Sequence, residues 1–485
     1  MDFVNTKTEK KADLTVIPFW KKGEKAVVAT TQSFDKKALQ FALTSGDFVG
    51  KEGETAVVYS KGGRLVALGL GEKDKVDLEA LRRSYAALAK LCRCKKWTTL
   101  NLALPQVKGL IVETGVADGL LLANYSFDKL KNVSLKSKPT TLLKKVFFLG
   151  ATATQVANAK KLALIIEGGV NVTRDLVNGN ADDVTPQHLA ATARSLGRKY
   201  ASIKTTVFDK KRITKEKMGL LLAVARASDK VRDPAFIIIS YKGAPRSKQH
   251  TVLVGKGITY DTGGLNLKPT GFMEDMKTDM SGAATVMGTM SALAATKAKV
   301  NVTGVIATTE NAIGSLAYKP GDVYTSYLGK TVEIANTDAE GRLILADALA
   351  YTVKKLKPTR IVDFATLTGS MVIALGKQVT GFMSNDDALS EELSQAGDAT
   401  YERMWRMPLV KEYRKLLDSD IADLKNCGNR EAGSITAALF LKEFVGETPW
   451  AHCDIAGTAD TDAARDYHGK GGTGVGVRLM LEFLK

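Results

Sequence analysis

Four almost uninterrupted apolar runs dominate the last two-thirds of the chain: AFIIIS at 235–240, TVLVGKGI at 251–258, VNVTGVIAT at 300–308 and RIVDFATL at 360–367. A strand with one wet face alternates polar and apolar side chains, so runs of this kind belong to strands covered on both faces. Helical stretches separate them. That order predicts a larger α/β domain over 179–485 with a mainly parallel central sheet. The loops at the ends of such strands are where open α/β sheets bind ligands.

The first third reads differently. ADLTVIPFW, TAVVYS, RLVALGLG, TTLNLAL and KKVFFLG have strand character, and 76–93 and 109–124 have helical character, which predicts a smaller α/β domain over 1–150. Residues 151–178 carry a helical pattern interrupted at Gly168-Gly169 and are read as a connecting helix. With 45% hydrophobic and 25% charged residues, the chain has the make-up of a folded, soluble protein. The opening MDFVNTKTEKKADL lacks the apolar core of a secretory signal, and no apolar run approaches a membrane span, so a cytoplasmic location is expected. Cys92, Cys94, Cys427 and Cys453 are too few and too poorly spaced for a disulfide framework or a zinc ribbon.

Charge is unevenly spread. The net charge is +17, and residues 1–150 hold 26 Lys and Arg against 15 Asp and Glu. Such an excess admits nucleic acid as a partner, although a solvated lysine surface is the commoner cause.

Three stretches hold the residues suited to chemistry. In NTDAEGRLILADAL, 336–349, Asp338, Glu340 and Arg342 alternate ahead of a helical pattern. One reading is a capping box from Thr337 to Glu340, with Arg342 paired to a neighbouring acid. The other is extended backbone, which would turn all three side chains towards one cavity. In VGKGITYDTGGLNLKP, 254–269, Lys256, Asp261 and Lys268 stand among glycines that let a ligand approach the backbone, yet neither GxGxxG nor GxxxxGK[ST] is present. In MKTDMSGAATVMG, 276–288, Asp279 precedes a helix of small residues, where it would serve as a cap or as a ligand.

Four carboxylates converging at strand ends cannot all stay charged without cations. Two divalent metals about 3.5–4 Å apart solve that problem and make a hydrolytic site with metal-activated water. His188, His250, His452 and His468 are isolated, without HExxH spacing, and no GxSxG marks a nucleophilic serine.

NTDAEGRL, VGKGITYDTGG, MKTDMSGAA, ATLTG, DIADLKNCGNREAGSITAALF, WAHCDIAG and GTGVGVRL together resemble, in order and spacing, the leucyl aminopeptidases of the cytosol aminopeptidase (M17) family. The likeness covers roughly 165–485. It implies a metal-dependent exopeptidase that removes leucine or another apolar residue from the N-terminus of peptides. It further implies that Asp261 and Glu340 bridge two metals, that Asp338 completes one site, and that Lys256 and Asp279 complete the other. The metals would be Zn or Mn, with Mg or Co as alternatives. Lys268 would polarise the scissile carbonyl, and Arg342 would hold a bicarbonate ion that relays a proton. Met276, Thr366, Gly369 and Ala456 would lie near the side-chain pocket. A homo-hexamer acting on peptides, with no membrane association, is implied as well.

Three positions depart from the family pattern: RDLVNGNADDVTP lacks a proline soon after its Asn, Leu328 replaces a small or polar residue, and Lys319 stands where Arg is commoner. None is a proposed ligand. Two rival functions stay open from the residues alone, a di-metal phosphoesterase and an accessory nucleic-acid-binding role.

Overall fold

The computed structural model describes residues 1–133 and 139–485, which form two compact units. The first comprises Met1–Glu167 together with Asp462–Lys470, and the second comprises Gly168–Thr461 and Gly471–Lys485. Inclusion of the short segment Asp462–Lys470 in the first unit has no counterpart in the sequence pattern. The boundary falls inside the helical stretch, where Ala153–Ile165 gives way to a π turn, Ile166–Val170, containing both glycines before helix Asn171–Asn178.

In the first unit seven strands form one sheet in the order Asp2–Thr6, Lys145–Leu149, Thr99–Ala103, Leu14–Lys22, Gly63–Glu72, Thr55–Ser60, with Lys25–Val28 paired to the side of Leu14–Lys22. Pairing is parallel except at Thr55–Ser60 and Lys25–Val28. Helix Leu78–Lys95 starts where the Asp77 carboxylate accepts the Ala80 N–H at 2.7 Å and stops at Lys96 in the left-handed region. Its buried Arg82 donates to Asp118 at 3.0 Å and Glu79 at 3.1 Å, so this cation of the basic first third is unavailable to phosphate.

The second unit is built on an eight-stranded sheet in the order Met404–Arg406, Thr380–Ser384, Trp450–Asp454, Arg360–Ala365, Thr251–Asp261, Asn301–Asn311, Ala235–Lys242, Ile203–Phe208. The middle four strands are parallel. Ala235–Lys242 is buried as its apolar run demands but pairs antiparallel to Asn301–Asn311. Helices cover both faces. One layer packs Leu189, Met287, Leu393 and Leu479 against the sheet, and the other packs Leu221, Leu345 and Phe440.

Two glycines set how closely these layers approach. A methyl group at Gly282 would lie 2.1 Å from the Phe364 carbonyl oxygen, so only glycine lets the start of helix Ser281–Thr296 rest on the strands. That contact brings Asp279, just before the helix, over the sheet's carboxyl edge. A methyl at Gly341 would meet Lys256 Nζ at 2.7 Å, so the glycine between Glu340 and Arg342 makes room for the lysine. No helix among the described residues is long and apolar enough to cross a membrane, and all four cysteines are free.

Candidate metal centre

Strand Thr251–Asp261 supplies Lys256 from its middle and Asp261 from its end. The loop that follows returns Lys268 to the same place. Lys268 Nζ lies 2.9 Å from Asp261 Oδ2 and also contacts Asp338. Lys256 Nζ lies 2.7 Å from Asp279 and 2.8 Å from Glu340 Oε1. Carboxylate oxygens of Asp261, Asp338 and Glu340 all lie within 4.8 Å of one another. The four carboxylates and two lysines therefore form one continuous cluster in which Glu340 belongs to both halves.

The route to convergence differs from either sequence reading. Glu340 is the first residue of helix Glu340–Tyr351, so Glu340 and Arg342 lie on a helical turn and not on extended backbone. No capping box forms either. Thr337 Oγ1 donates to the Gly263 carbonyl at 2.6 Å and accepts the Asn266 N–H at 2.8 Å, tying the segment before the helix to the lysine-bearing loop. Asp279 likewise does not cap helix Ser281–Thr296: its Oδ1 accepts Thr366 Oγ1 at 2.7 Å and Lys256 Nζ at 2.7 Å. Arg342 is buried and carries no ion pair among the described residues. Its Nη1 donates to the Asn426 carbonyl at 3.1 Å, and its Nε has no hydrogen-bond partner.

Several supporting residues carry no signal in the sequence. Asn311, at the end of the neighbouring strand, donates to Asp261 Oδ1 at 2.7 Å and to the Thr337 carbonyl at 3.1 Å, and Tyr318 donates to that same carbonyl at 2.6 Å. Of the four residues expected near a side-chain pocket, Thr366 touches the cluster directly, its carbonyl accepting Lys256 Nζ at 2.9 Å. Met276 enters through its backbone, where its carbonyl takes the Asp279 N–H at 3.3 Å. Gly369 begins helix Gly369–Leu375, shortly after strand Arg360–Ala365, and Ala456 lies in the turn after strand Trp450–Asp454, so both follow the carboxyl ends of neighbouring parallel strands. No histidine joins the cluster. His452 is buried against Asp363 at 2.6 Å, and His250 meets Thr303 at 2.9 Å.

The electrostatics are those of a site short of positive charge. Burial drives the Asp279 carboxyl well above the usual range, and repulsion from Glu340 and Asp261 adds to it, while Lys256 opposes both. Asp338 is raised to about 6, first by burial and then by Asp261 and Glu340. Two ammonium groups do not neutralise four crowded carboxylates. Asp279 Oδ2 and Glu340 Oε1 are buried and share a single cation, Lys256 Nζ at 2.7 and 2.8 Å, with no well-directed hydrogen bond of their own. Crowded carboxylate oxygens that share too few cations fit hard or borderline divalent metals.

Comparison with known proteins agrees with that chemistry. Residues 171–481 match the catalytic domain of the cytosol aminopeptidase family, and residues 16–134 match its N-terminal domain. A protein of Protochlamydia amoebophila named "Probable cytosol aminopeptidase" is 53% identical over 98% of this chain and 96% of its own length. A Chlamydia trachomatis protein of the same name is 47% identical over the same shares. Among solved structures, a tomato leucine aminopeptidase mutant superposes with a TM-score of 0.86 at 31% identity, covering 100% of this chain and 96% of its own. The bottromycin maturation enzyme BotP in complex with Mn gives a TM-score of 0.84 at 30% identity, covering 98% and 99%.

Proposed function

The chain belongs to the cytosol aminopeptidase family and is a metal-dependent aminopeptidase, and from that premise we propose that it removes leucine and other apolar residues from peptide N-termini at a two-metal centre. Lys256, Asp261, Asp279, Asp338 and Glu340 would hold the metals, with Zn or Mn as occupants. The observation that carries this reading is the shared Glu340, flanked by one group of carboxylates around Lys268 and another around Lys256. Bound divalent cations supply Lewis-acid polarisation of the scissile carbonyl and a water acidic enough to attack it.

The chain's own residues do the rest. Lys268, held by Asp261 and Asp338, would donate a hydrogen bond to the carbonyl oxygen as negative charge builds there. Arg342, with an unsatisfied Nε, would hold the bicarbonate ion, and general acid–base assistance is what that anion supplies. Lys256 must be neutral to act as a ligand, and an adjacent cation is what depresses a lysine so far.

Leucine p-nitroanilide should be cleaved in the presence of Mn or Zn, N-acetyl-leucine p-nitroanilide should not, and p-nitrophenyl phosphate should be untouched. Cleavage of the phosphate ester in place of the anilide would make the site a phosphoesterase; cleavage of the acetylated substrate would remove the requirement for a free amine.

Metal capture should depend on pH through Asp338. Capture must displace the Lys256 proton at every pH tested, and below about 6 the Asp338 carboxyl adds a second competing proton, so affinity should fall more steeply below that point than above it, by roughly a further tenfold per pH unit. Metal retained after equilibrium dialysis between pH 5 and 8 measures this directly. Equal retention across the range would contradict it.

A further inference from the structure

Asp454 ends strand Trp450–Asp454, is 1% exposed, and has no ion pair among the described residues. A buried carboxylate without a cation is costly unless hydrogen bonds replace its water. Here three of the four come from one neighbouring loop and the fourth from Asp454's own turn. Asp454 Oδ1 accepts the N–H groups of Leu367 at 3.1 Å, Thr368 at 3.5 Å and Ala456 at 3.2 Å, and Oδ2 accepts the Thr368 hydroxyl at 2.6 Å. The Thr368 hydroxyl in turn lies 2.6 Å from Ser434 Oγ.

The loop so fastened, 366–368, connects strand Arg360–Ala365 to helix Gly369–Leu375. Its first residue, Thr366, grips the metal-centre residues from the other side: the carbonyl takes Lys256 Nζ at 2.9 Å and the hydroxyl donates to Asp279 at 2.7 Å. We propose that Asp454 is a positioning residue for the reaction, locking loop 366–368 so that Thr366 sets the orientation of Lys256 and Asp279. This rests on the aminopeptidase reading of the centre. The physical reason is precision. Lys256 and Asp279 sit on different elements, and a carboxylate accepting three hydrogen bonds from the loop whose Thr366 touches both removes that loop's freedom. A second buried carboxylate provides the contrast. Asp347 accepts the N–H groups of Leu220, Leu221 and Tyr327 at 3.0, 2.9 and 2.7 Å, the same pattern applied to segments that do not touch the centre.

The test compares Asp454→Ala, Thr368→Val, their double variant, Thr368→Ser and Asp347→Asn in the full chain. The readouts are kcat and KM for leucine p-nitroanilide, bound metal and Tm. Asp454→Ala and Thr368→Val should each lower kcat/KM by about 10–100-fold, the range typical of partners behind metal ligands. The double variant should lose no more than about threefold beyond the worse single change, because the two act as one unit. Thr368→Ser, which keeps the hydroxyl, should restore activity. Asp347→Asn should lower Tm and leave kcat/KM within about twofold. Wild-type kcat/KM in folded Thr368→Val, multiplicative losses in the double variant, or an equal activity loss in Asp347→Asn would each overturn the proposal. Failure of the wild type itself to cleave the anilide would overturn the aminopeptidase assignment on which it stands.

Discussion

Glu340→Gln, and separately Asp279→Asn, should abolish metal-dependent turnover and leave the fold standing. Each change removes a negative charge and almost no volume, so the packing around helix Glu340–Tyr351 and strand Thr251–Asp261 is preserved. The charge is what the centre needs. Glu340 touches Lys256 and lies within 4.8 Å of the Asp261 and Asp338 oxygens, so its loss strips both halves of the cluster at once. Removing a mere outer partner of a metal site typically costs about 10–100-fold, and loss of a shared ligand should exceed the upper end of that range. Stability should move the other way or not at all. Asp279 is already pushed towards its neutral form by burial and by its acidic neighbours, so an amide there relieves repulsion in the metal-free protein. Circular dichroism, Tm and metal content measured beside kcat separate the outcomes. A variant that is folded, metal-loaded and near wild-type in rate would sink the two-metal assignment.

How much of this was legible in the sequence depends on the distance over which each feature is specified. The four apolar runs revealed the sheet because burial on two faces writes itself into consecutive residues, and all four are strands of the second unit. The side chains of the candidate centre stood out because carboxylates and lysines gather in three short stretches, although of the four carboxylates only Asp261 ends a strand, Asp279 follows a short turn and Glu340 starts a helix. Their mutual geometry was not legible. Alternation suggested that Asp338, Glu340 and Arg342 face one cavity through extended backbone, whereas the helix begins at Glu340 and places Arg342 against the Asn426 carbonyl. Local spacing could not distinguish these, because the partners lie far away in sequence: Thr337 is tied to Gly263 and Asn266, and Gly341 leaves room for Lys256 from a strand 85 positions earlier. Asn311, Tyr318 and Asn426 were missed for the same reason. Each acts on a partner far away in sequence, and a single Asn or Tyr at the end of an apolar run carries no pattern of its own.

Arg342→Ala should yield an enzyme that is slow but not dead. General acid–base assistance typically contributes about 10²–10⁴-fold, and the four carboxylates and Lys256, which would hold the metals, are untouched by the change. The structure sharpens the expectation. Because Arg342 has no ion pair among the described residues and donates only to a carbonyl, its replacement strands no buried carboxylate, which is the usual route by which loss of a buried arginine unfolds a protein. The unsatisfied Nε leaves a buried donor open to an anion. If it holds bicarbonate, added bicarbonate should speed the wild type and leave Arg342→Ala unchanged. Arg342→Lys should recover little, since an ammonium lacks the planar fork that presents two parallel N–H donors to such an anion. Bound metal should remain at the wild-type level in both variants. Equal stimulation of wild type and Arg342→Ala by bicarbonate would show that the anion acts elsewhere, and loss of metal from Arg342→Ala would make the arginine a support of the centre instead of a participant in proton transfer.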